Sequence, residues 1–199
     1  MKFRLIIIFY LIFIFPQKLF CTTIIGSNSG SEAFIKGDYK VALLEWEKIA
    51  SRDEDAQMKL GMLYISGLLG SKDFIKAKYW FSEAAYNGNV YAKYNLGKLH
   101  EQLGSEEDIK EAISWYRIAA ESGNTFSQLK LSQFYIKGIG VEKNINIGHM
   151  WLNLSASSGN LQANKKKMEL QKKMTEKEIS YSHKIAIDCL RNNFKDCSE

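Results

Sequence analysis

The chain repeats itself, and no other property constrains its fold as much. Leu60-Gly61 recurs as Leu96-Gly97 and, weakened, as Leu131-Ser132. Trp80 recurs as Trp115 and Trp151, Ala84-Ala85 as Ala119-Ala120 and Ser155-Ala156, and Gly88-Asn89 as Gly123-Asn124 and Gly159-Asn160. Each landmark steps by 35 or 36 residues. A fixed period of this length marks an array of helical hairpins, in which each unit buries against its neighbours an apolar face it cannot cover alone.

Within a unit the spacing is helical. Ala56, Leu60, Leu63 and Tyr64 fall at i, i+4, i+7 and i+8, one face of a first helix, and Ala77, Trp80 (with Phe81) and Ala84 do the same for a second. Ala and Gly allow close approach where two helices cross, and the Trp is expected to fill the gap between hairpins. Asp73, Asp108 and Asn144 each stand seven residues before a Trp, where a side-chain oxygen would cap the second helix. Asp108 with Glu111 has the spacing of a capping box. Gly88, Gly123 and Gly159, each followed by Asn, are stop signals tolerant of the left-handed conformation.

Laid end to end, the first unit reads Ala56, Leu60-Gly61, Tyr64, Gly67, Asp73, Lys76-Ala77, Trp80, Ala84-Ala85, Gly88, and the second Ala92, Leu96-Gly97, Asp108, Lys110-Glu111-Ala112, Trp115, Ala119-Ala120, Gly123. The third keeps Gly138, Gly140-Val141, Asn144 and Trp151 but has Gly148 where the others have Ala77 and Ala112. This pattern resembles the Sel-one-like repeat, a branch of the tetratricopeptide superfamily, of a secreted bacterial type. Upstream, Gly37-Asp38-Tyr39, Ala42-Leu43, Trp46 and Ala50 resemble the half-unit that often leads such arrays. The resemblance covers roughly residues 31–195. It implies an all-α, right-handed solenoid of stacked antiparallel helix pairs: a leading half-repeat over 31–54, repeats over 55–89, 90–124 and 125–160, and C-terminal capping helices over 161–199. It also implies a trade in binding, since the family's members are mostly scaffolds and adaptors.

The amino terminus reads as a secretion address over residues 1–21. Met1-Lys2-Phe3-Arg4 is basic, and Leu5 to Phe15 is an apolar run of 11 residues. That is short of the ~20 needed to span a bilayer and within the ~7 to 15 of a signal peptide. Cleavage after Cys21 gives a periplasmic or secreted protein; the alternative is a membrane-anchored one facing the periplasm, retained or lipidated at Cys21. A Ser-, Gly- and Thr-rich spacer follows over residues 22–30. Loss of Lys2, Arg4 and Lys18 without any acid lowers the net charge from +5 to +2, too near neutral for an electrostatic trap for nucleic acid. The balance is uneven, because residues 161–199 carry 9 basic and 6 acidic residues.

Beyond Cys21 only Cys189 and Cys197 remain, an even number suited to an oxidising compartment. A continuous helix would hold them ~12 Å apart, too far to bond. Asn192-Asn193, tolerant of the left-handed conformation, offer a place to turn back. The expected outcome is a disulfide between Cys189 and Cys197; the alternative is two unpaired thiols.

No cofactor or metal is expected. His100, placed in the loop region of the second unit, His149 beside Trp151 and His183 in the last helix share no helical face at short spacing. No nucleophile elbow or phosphate-cradling loop occurs. Some cysteine-rich secreted relatives of this repeat bind or hydrolyse β-lactam-like molecules and carry paired cysteines inside each repeat, whereas no repeat here contains one. The expected function is therefore non-enzymatic binding of a protein or peptide on the concave face, in the cell envelope or secreted space. The alternative is an envelope-acting hydrolase of the peptidoglycan or β-lactam class. The equivalent positions Lys59, Asn95, Lys130 and Lys166 vary within a kept frame, as a recognition surface requires, and are the candidate partner-binding residues.

Overall fold

The computed structural model describes residues 29–194 and residue 197. The secretion address, Cys21 and most of the spacer lie outside the described residues, but Ser29 and Gly30, assigned above to the spacer, are already helical. Among the described residues there are ten helices and no strand. They are α1 (29–36), α2 (Tyr39–Ile49), α3 (Glu54–Ser66), α4 (Phe74–Tyr86), α5 (Val90–Leu103), α6 (Glu106–Glu121), α7 (Thr125–Lys137), α8 (Ile145–Ser157), α9 (Leu161–Gln171) and α10 (Glu176–Arg191). The chain divides into two compact units, Met1–Glu83 and Ala84–Glu199.

Helix starts obey the repeat. Asp53, Asn89, Asn124 and Asn160 are the N-caps of α3, α5, α7 and α9, their Oδ1 atoms accepting from the amides of Ala56, Ala92, Ser127 and Ala163 at 2.8–3.0 Å. The Gly-Asn pairs thus divide the labour. Gly88, Gly123 and Gly159 adopt φ of +99°, +84° and +89° to end one helix, and the Asn that follows begins the next. For the second helix of each pair, Asp73 and Asn144 accept from the amides of Lys76 and Ile147 at 2.9 and 3.0 Å. Asp108 does not follow suit. Ser105 caps α6, accepting from the Asp108 amide at 3.0 Å, so α6 starts a turn earlier, Asp108 lies inside it, and the capping box with Glu111 does not form.

In the first unit Trp46, Ile49, Ala56, Leu60 and Leu63 form the core with Ala42. Gly61 is required there: a Cβ would lie 2.5 Å from the Phe81 ring, which is itself fully buried. The second unit repeats the device, with a Cβ on Gly97 falling 2.6 Å from the buried Tyr116 ring. These contacts correct the expectation for the tryptophans. The rings that seat between paired helices are Phe81 and Tyr116, whereas Trp80 and Trp115 are half-buried. One residue along a helix is a rotation of about 100°, enough to move the Trp off the crossing. Trp151 alone of the three is fully buried, because Ala186 and Cys189 of α10 join its cluster with Met150 and Leu154.

At the C-terminal end, Thr175 and Glu178 form a reciprocal capping box that starts α10. Asn193 and Phe194 take positive φ, +51° and +62°, and the chain turns back so that Cys197 bonds Cys189 across a Cα separation of 4.9 Å.

Candidate partner-binding surface

The repeat frame makes α5, α7 and α9 the first helices of successive pairs in the second unit, so their outward faces carry equivalent positions on neighbouring helices. What fills those positions differs from helix to helix. Between α5 and α7 the surface is aromatic: the Tyr94 ring lies 5.9 Å from Phe126 and 5.8 Å from Tyr116, with the Lys98 ammonium 5.7 Å from its centroid. Phe126 is half exposed. Beside these rings Glu101 is a hub. It accepts from Lys130 Nζ at 2.8 and 2.9 Å and from the Tyr116 hydroxyl at 2.6 Å. Burial first, and then this carboxylate, pushes the Tyr116 phenol far up, and the same causes in the same order raise Tyr94.

Between α7 and α9 the surface changes character. A shallow groove of about 190 Å³ is lined by Ser132, Gln133, Ile136 and Lys137 of α7, Leu152 of α8, and Lys166, Glu169, Leu170 and Lys173 of and just beyond α9. It lies where the third repeat departs from the frame. The Gly–aromatic pairs Gly61–Phe81 and Gly97–Tyr116 become Ser132–Leu152 in the same register, and a leucine fills less space than the ring it replaces. Gly148 completes the local geometry, since a Cβ there would sit 2.5 Å from Ile136.

The four sequence candidates each meet different surroundings. Lys59, in the first unit, donates to Ser31 Oγ at 3.2 Å and stands 6.0 Å from the Trp46 ring. Asn95 donates to the Tyr91 carbonyl of its own helix at 2.9 Å. Lys130 is committed to Glu101, while Lys166 lines the α7–α9 groove. Sequence reasoning missed Glu101 and the groove, although the loss of Gly and aromatic in the third repeat was a visible signal for the latter.

Of the three histidines, His100 falls differently from expectation. His100 lies within α5, buried, with Nδ1 3.0 Å from Asp108 Oδ1. Ser105 first, and His100 second, hold the Asp108 carboxyl below its usual range. His149 of α8 is fully buried and stacks on His183 of α10 at 5.5 Å, with no hydrogen-bond partner on either ring nitrogen among the described residues. Among the described residues no group of three or more His, Cys, Asp or Glu side chains is arranged to hold a metal.

The sequence matches the Sel1 repeat over residues 54–89, 90–124 and 125–160. The chain belongs to the Sel1 repeat family. It is similar to the crystal structure of a Sel1 repeat protein from Oxalobacter formigenes, with 31% identity, a TM-score of 0.56, and coverage of 64% of this chain and 97% of that one. It is also similar to c5321, a protective antigen of uropathogenic Escherichia coli strains displaying an SLR fold, at 23% identity and a TM-score of 0.44 over 80% of this chain and 42% of that one. Among curated relatives, HRD3B of Arabidopsis thaliana, an ERAD-associated E3 ubiquitin-protein ligase component, is 28% identical over 130 residues. The match covers 61% of this chain and 20% of HRD3B, so the Sel1 repeat chain spans about one fifth of that relative's length. The fold is an all-α repeat solenoid, and Sel1 repeat proteins are generally protein–protein interaction scaffolds.

Proposed function

We propose that this chain is a non-catalytic scaffold of the cell envelope or secreted space, holding a protein or peptide on the face made by α5, α7 and α9. The observation that carries the reading is that face itself: a kept frame of Ala92, Leu96 and Leu131 supports an aromatic surface at one step and a lysine-rimmed groove at the next. Varied chemistry on a rigid repeated support is what recognition of one partner among many requires. The Cys189–Cys197 bond supports the location, since disulfides persist in oxidising compartments.

The test places a photo-crosslinking amino acid at Asn95 or Phe126 on this face, or at Glu107 on the exposed side of α6. Adducts to a discrete protein from the first two positions and none from Glu107 are expected. Adducts from α6 alone, or none from any position, would overturn the reading. Cell fractionation with and without residues 1–21 tests the location, and a full-length precursor found in the cytoplasm would refute it.

A further inference from the structure

We propose that the α7–α9 groove binds an acidic peptide segment, taking an aliphatic side chain onto its floor and carboxylates onto its rim. The proposal rests on the scaffold reading above and adds the chemistry of what is held. The floor is apolar, built from Ile136, Leu152 and Leu170, which belong to one cluster with Leu129 and Ala163. The rim carries three ammonium groups, Lys137, Lys166 and Lys173, against one carboxylate, Glu169.

Among the described residues none of these four side chains makes an ion pair. The rim therefore carries a positive excess, three ammonium groups to one carboxylate. Lys165 and Lys172 add to it from the same segment, so residues 161–173 hold five lysines and a single acid. At the neighbouring step of this face, by contrast, Lys130 is held by Glu101 at 2.8 Å.

Shape and charge together select the occupant. A volume near 190 Å³ is below the roughly 300–1,000 Å³ of small-molecule sites, but it suits single side chains of an extended chain. A flat anionic bilayer would meet the lysines alone, whereas an aliphatic side chain can also reach the half-buried Ile136 and Leu170, which favours a peptide. Each exposed lysine–carboxylate pair is worth up to roughly fivefold in affinity and weakens as salt rises.

The full chain is titrated by fluorescence anisotropy against labelled Asp-Leu-Glu-Leu-Asp, its uncharged analogue Asn-Leu-Gln-Leu-Asn, and Asp-Gly-Glu-Gly-Asp, which lacks the aliphatic groups. Saturable, salt-sensitive binding of the first peptide alone is expected. The double variant Lys166→Glu with Lys173→Glu should weaken it by roughly twentyfold or more, and Lys177→Glu with Lys184→Glu on α10, an equal charge change, should leave it within about twofold. Equal loss in both variants would reduce the effect to bulk charge and overturn the proposal. So would binding of anionic phosphatidylglycerol vesicles, abolished by the first variant, without peptide binding, or self-association that the same lysines control. A silent peptide titration beside intact crosslinks from Phe126 removes the groove while leaving the scaffold reading; peptide binding without crosslinks does the reverse.

Discussion

His149 should make the second unit acid-sensitive well above the pH at which carboxylates protonate. The ring is fully buried between α8 and α10, neither nitrogen has a hydrogen-bond partner among the described residues, and two groups whose charge would repel an imidazolium, His183 of α10 and Lys167 of α9, face it. Burial first, and those charges second, push its pKa down to about 4, against about 6.5 for an ordinary imidazole. The fold therefore holds the neutral ring, while the unfolded chain takes up a proton once the pH drops below about 6.5. The stability at stake is complete above that value and is lost as pH falls toward 4. At 1.36 kcal/mol per unit, the loss is about 2 kcal/mol by pH 5 and about 3 kcal/mol by pH 4. Urea melts at pH 7 and pH 5 should show it, and His149→Leu, which keeps an apolar group of similar size, should remove about 2 kcal/mol of the difference. Amide protection factors across Ile145–Ser157, corrected for the intrinsic exchange rate at each pH, should fall at pH 5 in the wild type only. The carboxyls of Glu106, Asp108 and Glu178 are held below their usual range, so what they contribute is lost at lower pH, and the comparison with His149→Leu isolates this imidazole. A variant that retains the full wild-type difference between pH 7 and pH 5 would refute the reasoning.

Three further outcomes follow from the packing. Tyr116→Ala should cost about 3–5 kcal/mol in urea unfolding, clearly more than Trp115→Ala, since Tyr116 is fully buried and Trp115 only half so; the reverse order would mean the crossing is seated on the wrong ring. Gly97→Ala should destabilise by about 1–3 kcal/mol, because its Cβ would lie 2.6 Å from that ring, and a neutral or stabilising result would disprove the tight crossing. Replacing Cys189 and Cys197 by serine should cost about 2 to 3 kcal/mol in the chain-entropy account, read as lower melting and faster amide exchange in α10. An unchanged melt would show that the cap holds without the bond.

The repeat was legible because local and global signals coincide: the Asp and Asn residues that cap helices fall in the same register as the alanines and leucines that pack. Period alone therefore located the helix pairs. It could not say which of two adjacent aromatics faces the partner helix, because Trp80-Phe81 and Trp115-Tyr116 repeat together and periodicity cannot separate neighbours. The glycine opposite decides it, and only coordinates show that Gly61 and Gly97 sit under Phe81 and Tyr116. The cap of α6 was missed for a related reason, since Asp108 keeps the register of Asp73 and Asn144 while Ser105, outside it, does the capping.

The same logic explains why the surface was harder to read than the core. Buried positions answer to neighbours that recur with the period, so a pattern reports them. Exposed ones answer to whatever tertiary contact they find. Lys59, Asn95, Lys130 and Lys166 are equivalent in sequence, yet one reaches a serine, one its own helix, one a glutamate on the preceding repeat and one an open groove. Variation at a fixed register is thus a sign of release from the core and does not by itself mark a binding residue. The more telling signal is correlated departure from the frame. Where Leu131-Ser132 replaces Leu-Gly, Leu152 stands in for the aromatic and Gly148 for the alanine; Ser132 and Leu152 line a groove that lysines border, and Gly148 packs against Ile136 beside it. A position that drifts alone marks solvent, whereas positions that drift together around a cavity mark a place where the array stopped packing against itself and can pack against something else.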